Sequence, residues 1–128
     1  MLAPQVTSPI RNSSDISKAI KVAEKGRFDS IFSVMEIEDY FMWENDPSEG
    51  AKSINYDYKK RQMRQQINKR FLENGSFYLF KTNILREEFN RLGGKLYPFV
   101  MEKHKMFQID NYEDLNLAKI IMQGYGLV

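Results

Sequence analysis

The chain of 128 residues contains no cysteine, which excludes a disulfide framework and a thiolate metal site. No apolar run approaches the roughly 18 residues that a membrane helix needs. The opening MLAPQVTSPIR lacks the basic and apolar regions of a signal peptide. Neither G-x-G-x-x-G nor G-x-x-x-x-G-K-[ST] occurs, so no standard phosphate loop is present. Nor is there a strong charge of one sign. The 19 basic and 17 acidic residues leave a net +2, too little to argue for nucleic acid. These absences lead to the expectation of a soluble, cytoplasmic protein with no membrane or nucleic-acid partner.

What is there is ordinary globular material, 42% hydrophobic and 28% charged, in a length that suits one domain with a real core. The elements alternate. Leu2 to Val6 reads as the end of a buried strand, stopped by Thr7-Ser8-Pro9. A helix follows, capped by Ser13 or Ser14 and ended by Gly26, with Ile16, Ala19, Ile20 and Ala23 on one face. Ser30 to Ile37 suits a strand buried on both sides. Asn45 to Gly50 is a turn-rich tip, and Lys59 to Arg70 is polar with a helical tendency. Ser76 to Lys81, Leu96 to Met101 and Phe107 to Ile109 read as strands. A helix is expected between the first two, carrying Leu85, Phe89 and Leu92 and stopped by Gly93. Asn111 caps a last helix with Leu115, Ala118, Ile121 and Met122 inward. Strands alternating with capped helices predict an α/β layered fold with a mixed, mostly parallel sheet.

Four groups could carry chemistry. Gln5-Val6-Thr7-Ser8-Pro9-Ile10-Arg11 puts an amide, two hydroxyls and a guanidinium at the carboxyl end of a strand, where open α/β sheets bind ligands. The same loop could simply satisfy its own backbone. Arg64 and Gln65 precede Glu73-Asn74-Gly75; Arg64 could hold a carboxylate bidentately, and Asn74 could donate and accept at a sugar hydroxyl. Asp110 ends the last strand-like stretch and is either a metal ligand or a cap, while Asp114 suits a helix first turn. Gly93-Gly94-Lys95-Leu96-Tyr97-Pro98-Phe99-Val100-Met101 pairs a permissive hinge with aromatic residues that are either core or ligand contacts. His104, in Glu-Lys-His-Lys, reads as a mobile surface residue. Lys59, Lys60, Arg61, Arg64, Lys69 and Arg70 read as a solvated face or the rim of an anionic-substrate site.

In this order and spacing these motifs resemble the C-terminal part of the acylneuraminate cytidylyltransferases. The matching pieces are Gln5 with Thr7-Ser8-Pro9-Ile10-Arg11, then Arg64-Gln65, Phe71 with Glu73-Asn74-Gly75, then Gly93-Gly94-Lys95 with Tyr97-Pro98-Phe99-Val100-Met101, and Gln108-Ile109-Asp110. The chain departs from the family at Gln66 and Asn68, where Asp and Pro are usual, and at Gln108, where the family has a first Asp.

The resemblance implies a three-layer sandwich like that of the nucleotide-diphospho-sugar transferases, with the N-terminal nucleotide-binding part absent. It implies transfer of CMP from CTP to a nonulosonic acid such as N-acetylneuraminate, with release of pyrophosphate. Asp110 and Arg11 would be catalytic, and Asp110 would hold Mg²⁺ or Mn²⁺. Gln5, Thr7, Ser8, Arg64, Gln65, Asn74, Tyr78 and Tyr97 would bind substrate. Residues 38–72, with Tyr40, Phe41 and Trp43, would form a dimerisation excursion within a single partial domain spanning 1–128, giving a homodimer. The alternative is a non-catalytic dimerising or interaction remnant of such an enzyme.

Overall fold

Asn12 starts the first helix, α1 (Ser13–Glu24), one residue earlier than the serines that the sequence offers as caps. Its side chain accepts from the Asp15 backbone N–H, and the Asp15 carboxylate accepts from the Asn12 N–H in return, a reciprocal capping box. Gly26, at φ +67°, ends the helix as expected, its N–H bonded to the Ala23 carbonyl at 2.9 Å. Ala19 is buried and Ile16 half-buried, but Ile20 is exposed and Asp15 is buried instead. The inward stripe is therefore turned toward Asp15, for a reason given below.

The computed structural model describes residues 1–38 and 41–127, and the side chain of Arg64 lies outside that description. The chain divides into two units, Met1–Glu36 with Phe71–Val128, and Ile37–Arg70. The first holds a four-stranded sheet in the order β1-β5-β2-β6, formed by β1 (Leu2–Pro4), β2 (Ser30–Ile37), β5 (Arg70–Phe80) and β6 (Leu96–Met101). Strand β2 pairs with β6 in parallel, from Ser30 opposite Leu96 to Met35 opposite Met101. Strand β1 pairs with β5 antiparallel, from Leu2 opposite Leu79 to Pro4 opposite Phe77. The sheet is mixed, and the parallel expectation holds for β2–β6 but not for β1–β5, because β5 takes the place beside β1. Ala19 packs against Phe77 and Met101, with Ile16, Leu79 and Phe99 around them, which joins α1 to one face of the sheet.

Two other elements differ from expectation. Helix α2 (Thr82–Glu88) starts after Lys81 without a side-chain cap and stops at Phe89, whose φ of 51° is left-handed. Ile84 is its buried contact, while Leu85 and Phe89 face solvent. Residues 107–109 form no strand. A short 3₁₀ turn, Lys103–Met106, leads into them, and the Ile109 N–H donates to the Thr7 carbonyl at 2.7 Å. Helix α3 (Tyr112–Gly124) follows the sequence closely, with Asn111 as its cap and Asp114 completing a second capping box. His104 is half-buried and stacked on Tyr125, ring centroids 3.9 Å apart, and so is not a mobile surface residue.

The second unit contains a hairpin, β3 (Trp43–Asp46) and β4 (Gly50–Ser53). Asp46 shapes its tip by accepting from the backbone of Ser48 and Glu49. The bond from the Ser48 hydroxyl, and then those backbone bonds, hold the Asp46 carboxyl below its usual pKa. The expected helical tendency of 59–70 shrinks to two 3₁₀ turns, Tyr58–Lys60 and Arg64–Gln66. Phe41, Trp43, Tyr56 and Tyr58 form an aromatic group, with Phe41 and Tyr56 centroids 4.4 Å apart. Tyr40 lies outside the described residues. No helix among the described residues is long and apolar enough to cross a membrane.

Candidate functional site

The polar segments that the sequence separates by up to a hundred positions meet where β1 ends. The centre of the meeting point is Gly75. Its φ of +63° is one that residues bearing a Cβ avoid, and a Cβ there would overlap the terminal amide of Gln5 and lie 3.0 Å from Nε2 of Gln108. Gly75 therefore lets two glutamines from opposite ends of the chain close on one stretch of backbone. Gln108 Nε2 donates to the Asn74 carbonyl at 2.9 Å, and the buried Ser8 hydroxyl donates to the same carbonyl at 3.1 Å. With its amide oriented to satisfy both of its ends, Gln5 donates to the Gly75 carbonyl at 2.7 Å and accepts from Arg91 Nη2 at 3.3 Å.

The left-handed residue also breaks the in–out alternation of β5, and residues 74–78 are buried in succession. Tyr78 consequently turns back to donate its hydroxyl to Glu73, five residues earlier. The Arg91 guanidinium lies 3.9 Å from the centroid of the Tyr78 ring. Burial first, and then the bond to Glu73, push the Tyr78 hydroxyl up to about 12. An alkaline absorbance titration is expected to show one tyrosine ionising late, and Tyr78→Phe to remove that step. The neutral hydroxyl stabilises the fold below the ordinary tyrosine pKa of about 10, and this contribution is lost as pH rises toward 12. A titration unchanged in Tyr78→Phe would contradict the assignment.

The structure sorts the expected site residues. Thr7 is exposed beside the cluster, and its carbonyl ties it to Ile109. Asp110 follows at once, exposed; its N–H is held by Asp114 Oδ2 at 2.9 Å. Asp110 thus sits in solvent, yet next to the Gln5–Arg11 segment. Arg11 Nη1 donates to the carbonyls of Gln5, Ser8 and Ser76 at 3.0, 2.6 and 3.2 Å, so that end of its guanidinium shapes the loop.

Asn74 is not presented to a ligand. It is 1% exposed, its Nδ2 points to the Lys105 carbonyl and Met101 Sδ, and its Oδ1 accepts from the Ser76 N–H. Ser8, at 1%, is likewise internal. Tyr97 is set apart. It pairs with Ile31 at the amino end of β6 and packs on Phe28, while Asn74 meets Met101 at the carboxyl end. Four residue steps along the strand separate Tyr97 from Met101, about 13 Å. Gly93 and Gly94 belong with Tyr97: Gly93 exchanges bonds with the Ser30 hydroxyl, and Asp29 fills the space beside Gly94. Gln65 is exposed in the 37–70 unit, and the expectation for Arg64 rests on a side chain outside the described residues.

No motif in the sequence marks Arg91 or Lys105. Arg91 falls where the residues suggest a longer helix, and only the early stop at Phe89 frees it to reach Tyr78. Lys105, 2% exposed, binds both Asp15 oxygens at 3.0 and 2.9 Å and pairs with Glu102. Burial alone would depress its pKa, but its bonds to Glu102 and Asp15 outweigh that and raise it. This pair explains why Asp15 faces inward.

A hard cation that needs a single protein carboxylate suits the exposed Asp110. Asp110 offers one carboxylate, Gln108 has its amide on Asn74, and no group of three or more acidic or histidine side chains that could hold a metal occurs among the described residues. Mg²⁺ commonly takes one or two carboxylates and completes its shell with phosphate oxygens and water. No family model matches the chain. It is similar to N-acylneuraminate cytidylyltransferase A of Danio rerio, 28% identical over 126 residues that cover 94% of this chain. The chain spans 29% of that curated relative's length, a distant and partial similarity to a nucleotidyltransferase.

Proposed function

We propose that the chain forms the acidic-sugar side of a cytidylyltransferase, which joins CMP from CTP to a nonulosonic acid such as N-acetylneuraminate and releases pyrophosphate. In this reading its sheet is part of a three-layer transferase-like sandwich. The observation that carries the proposal is the Ile109–Thr7 bond, which brings the chain at Asp110, the next residue and an exposed one, beside the Gln5–Arg11 loop. The similarity to the Danio rerio enzyme supports the same class.

A sugar hydroxyl displacing pyrophosphate at the α-phosphorus needs alignment and neutralised charge more than covalent help. Asp110 would hold Mg²⁺, or Mn²⁺, which would supply that neutralisation. The Thr7 hydroxyl and the Gln5 amide offer neutral donors and acceptors to the sugar. Arg11 would act as a positioning residue, fixing the loop that carries Thr7. The 37–70 unit, with Met42, Trp43, Ile54, Tyr58 and Met63 exposed, would pair two copies of the chain.

The test is a backbone NMR titration of the intact chain with N-acetylneuraminate at millimolar concentration, glucose serving as the control. Shifts are expected at Thr7, Gly75, Gln108 and Asp110 with the acid alone, and Mn²⁺ should broaden Asp110 but not in Asp110→Asn. Acid and glucose giving the same response would overturn the proposal. Light scattering on the same sample should give the mass of two chains; one chain's mass would remove the pairing role of the 37–70 unit.

A further inference from the structure

Arg91 is a half-buried cation with no carboxylate within ion-pair distance among the described residues. It stacks 3.9 Å from the centroid of the Tyr78 ring and, at Nη2, donates to the Gln5 amide oriented as above at 3.3 Å. A guanidinium carries five N–H donors, so these contacts fix its plane and leave donors to spare. The Glu73 carboxylate lies at the far end of the same ring, on the Tyr78 hydroxyl, and makes no ion pair with Arg91. A charge partly out of water without a direct ion pair is costly, and a ligand carboxylate in contact with it reduces the cost. Arg91 is also part of the cluster described above. Gln5 bridges it to Gly75, Gly75 lies against Gln108, and Asp110 follows two residues later.

We infer that Arg91, pinned by Tyr78 and Gln5, is the anchor for the carboxylate of the acidic sugar. The inference rests on the reading of the site given under Proposed function. A carboxylate suits the position because a planar fork engages two oxygens at once, and the stacked ring holds that fork in one plane. It also divides the labour: the cation near Gln5 takes the sugar's charge, and the carboxylate of Asp110 is left for the metal that the phosphates require. Gln5 is then a positioning residue for Arg91 as well as a neighbour of the sugar.

Calorimetric titrations of N-acetylneuraminate and of its uncharged methyl ester into the wild-type chain and Arg91→Gln decide the point. The wild type is expected to prefer the acid by roughly 10- to 100-fold, and Arg91→Gln to bring acid and ester to the same affinity. Arg91→Lys should recover part of the preference, since it restores charge but not the fork. Should Arg91→Gln fail to fold, the Arg91 Nε–H resonance of the wild type serves instead, shifting with the acid and not with the ester. Equal binding of the acid by both proteins would overturn this inference and leave the proposed function standing. Loss of CTP binding in Arg91→Gln with acid binding intact would overturn it in favour of a phosphate contact. No binding of the acid to the wild type would overturn both readings.

Discussion

Lys105→Met is expected to destabilise the protein by about 3–5 kcal/mol, because it strands a buried carboxylate. Lys105 and Asp15 are 2% and 5% exposed, and the ammonium touches both oxygens of the acid. Asp15 cannot turn away, since the same carboxylate caps α1 through the Asn12 N–H. Methionine fills a similar volume and removes only the charge and its donors. The unfolding midpoint should fall by about 10 °C or more for a chain of this size. Adding Asp15→Asn should restore part of the loss, because the amide keeps a capping oxygen while the unpaired charge disappears.

The pH dependence follows from the raised lysine pKa. The contribution is complete below the unfolded lysine pKa of about 10.4 and is lost as pH rises through the higher folded value. The gap between wild type and Lys105→Met should therefore be constant near neutrality and close only in strong alkali. A difference under about 1 kcal/mol in denaturant unfolding at neutral pH would show that the pair is energetically idle. More than the fold is at stake. The Lys105 carbonyl accepts from Asn74, whose own carbonyl collects Ser8 and Gln108, so loosening this turn loosens the approach to Asp110.

Gly75→Ala should cost about 2 kcal/mol or more, from two separable causes. A left-handed backbone costs roughly 1–2 kcal/mol for a residue with a Cβ, and Gly75 sits at φ +63°. The added methyl would also overlap the Gln5 amide. Truncating the obstacle separates the two: Gln5→Ala with Gly75→Ala should be less damaging than the sum of the single changes. Gly75→Asn should be tolerated better than alanine as regards the backbone while keeping the overlap. Displacing Gln5 would also release Arg91 from one of its contacts, so binding of the acidic sugar should fall with stability. An alanine variant within about 0.5 kcal/mol of wild type would mean that neither the strain nor the overlap is real.

The contrast between β6 and α2 shows what could be read from residues alone. Strands β2 and β6 both have the bounds their apolar runs suggest: β2 lies inside the sheet and is buried along most of its length, which leaves a continuous hydrophobic signature, and β6 keeps an apolar run although it is the edge strand. Helix α3 begins at the asparagine that local hydrogen bonding favours, with Asp114 in the reciprocal position. Helix α2 has the right periodicity for four more residues, yet it stops at Phe89. Once Ser30 has claimed the Gly93 backbone and Lys95 is bonded to Asp29, the chain must turn into β6, and helix propensity is too weak to resist. Strand β5 was underestimated for the opposite reason. Its first half, Arg70 to Gly75, has too few apolar residues to read as a strand and is drawn into the sheet by its continuation.

By itself the sequence determined the alternation of strands and helices, the caps at Asn111 and Gly26, the turn within 45–50, and which polar types were on offer. These are short-range matters, settled within a few residues by backbone hydrogen bonding and burial period. Only the tertiary structure decided which polar groups meet. It turned Asn74 and Ser8 inward, left Asp110 and Thr7 at the surface, removed Tyr97 to the far end of its strand, and brought Arg91 onto Tyr78. The physical reason is that each of these outcomes depends on a partner tens of residues away, whose position follows from strand order and one left-handed glycine rather than from any local preference.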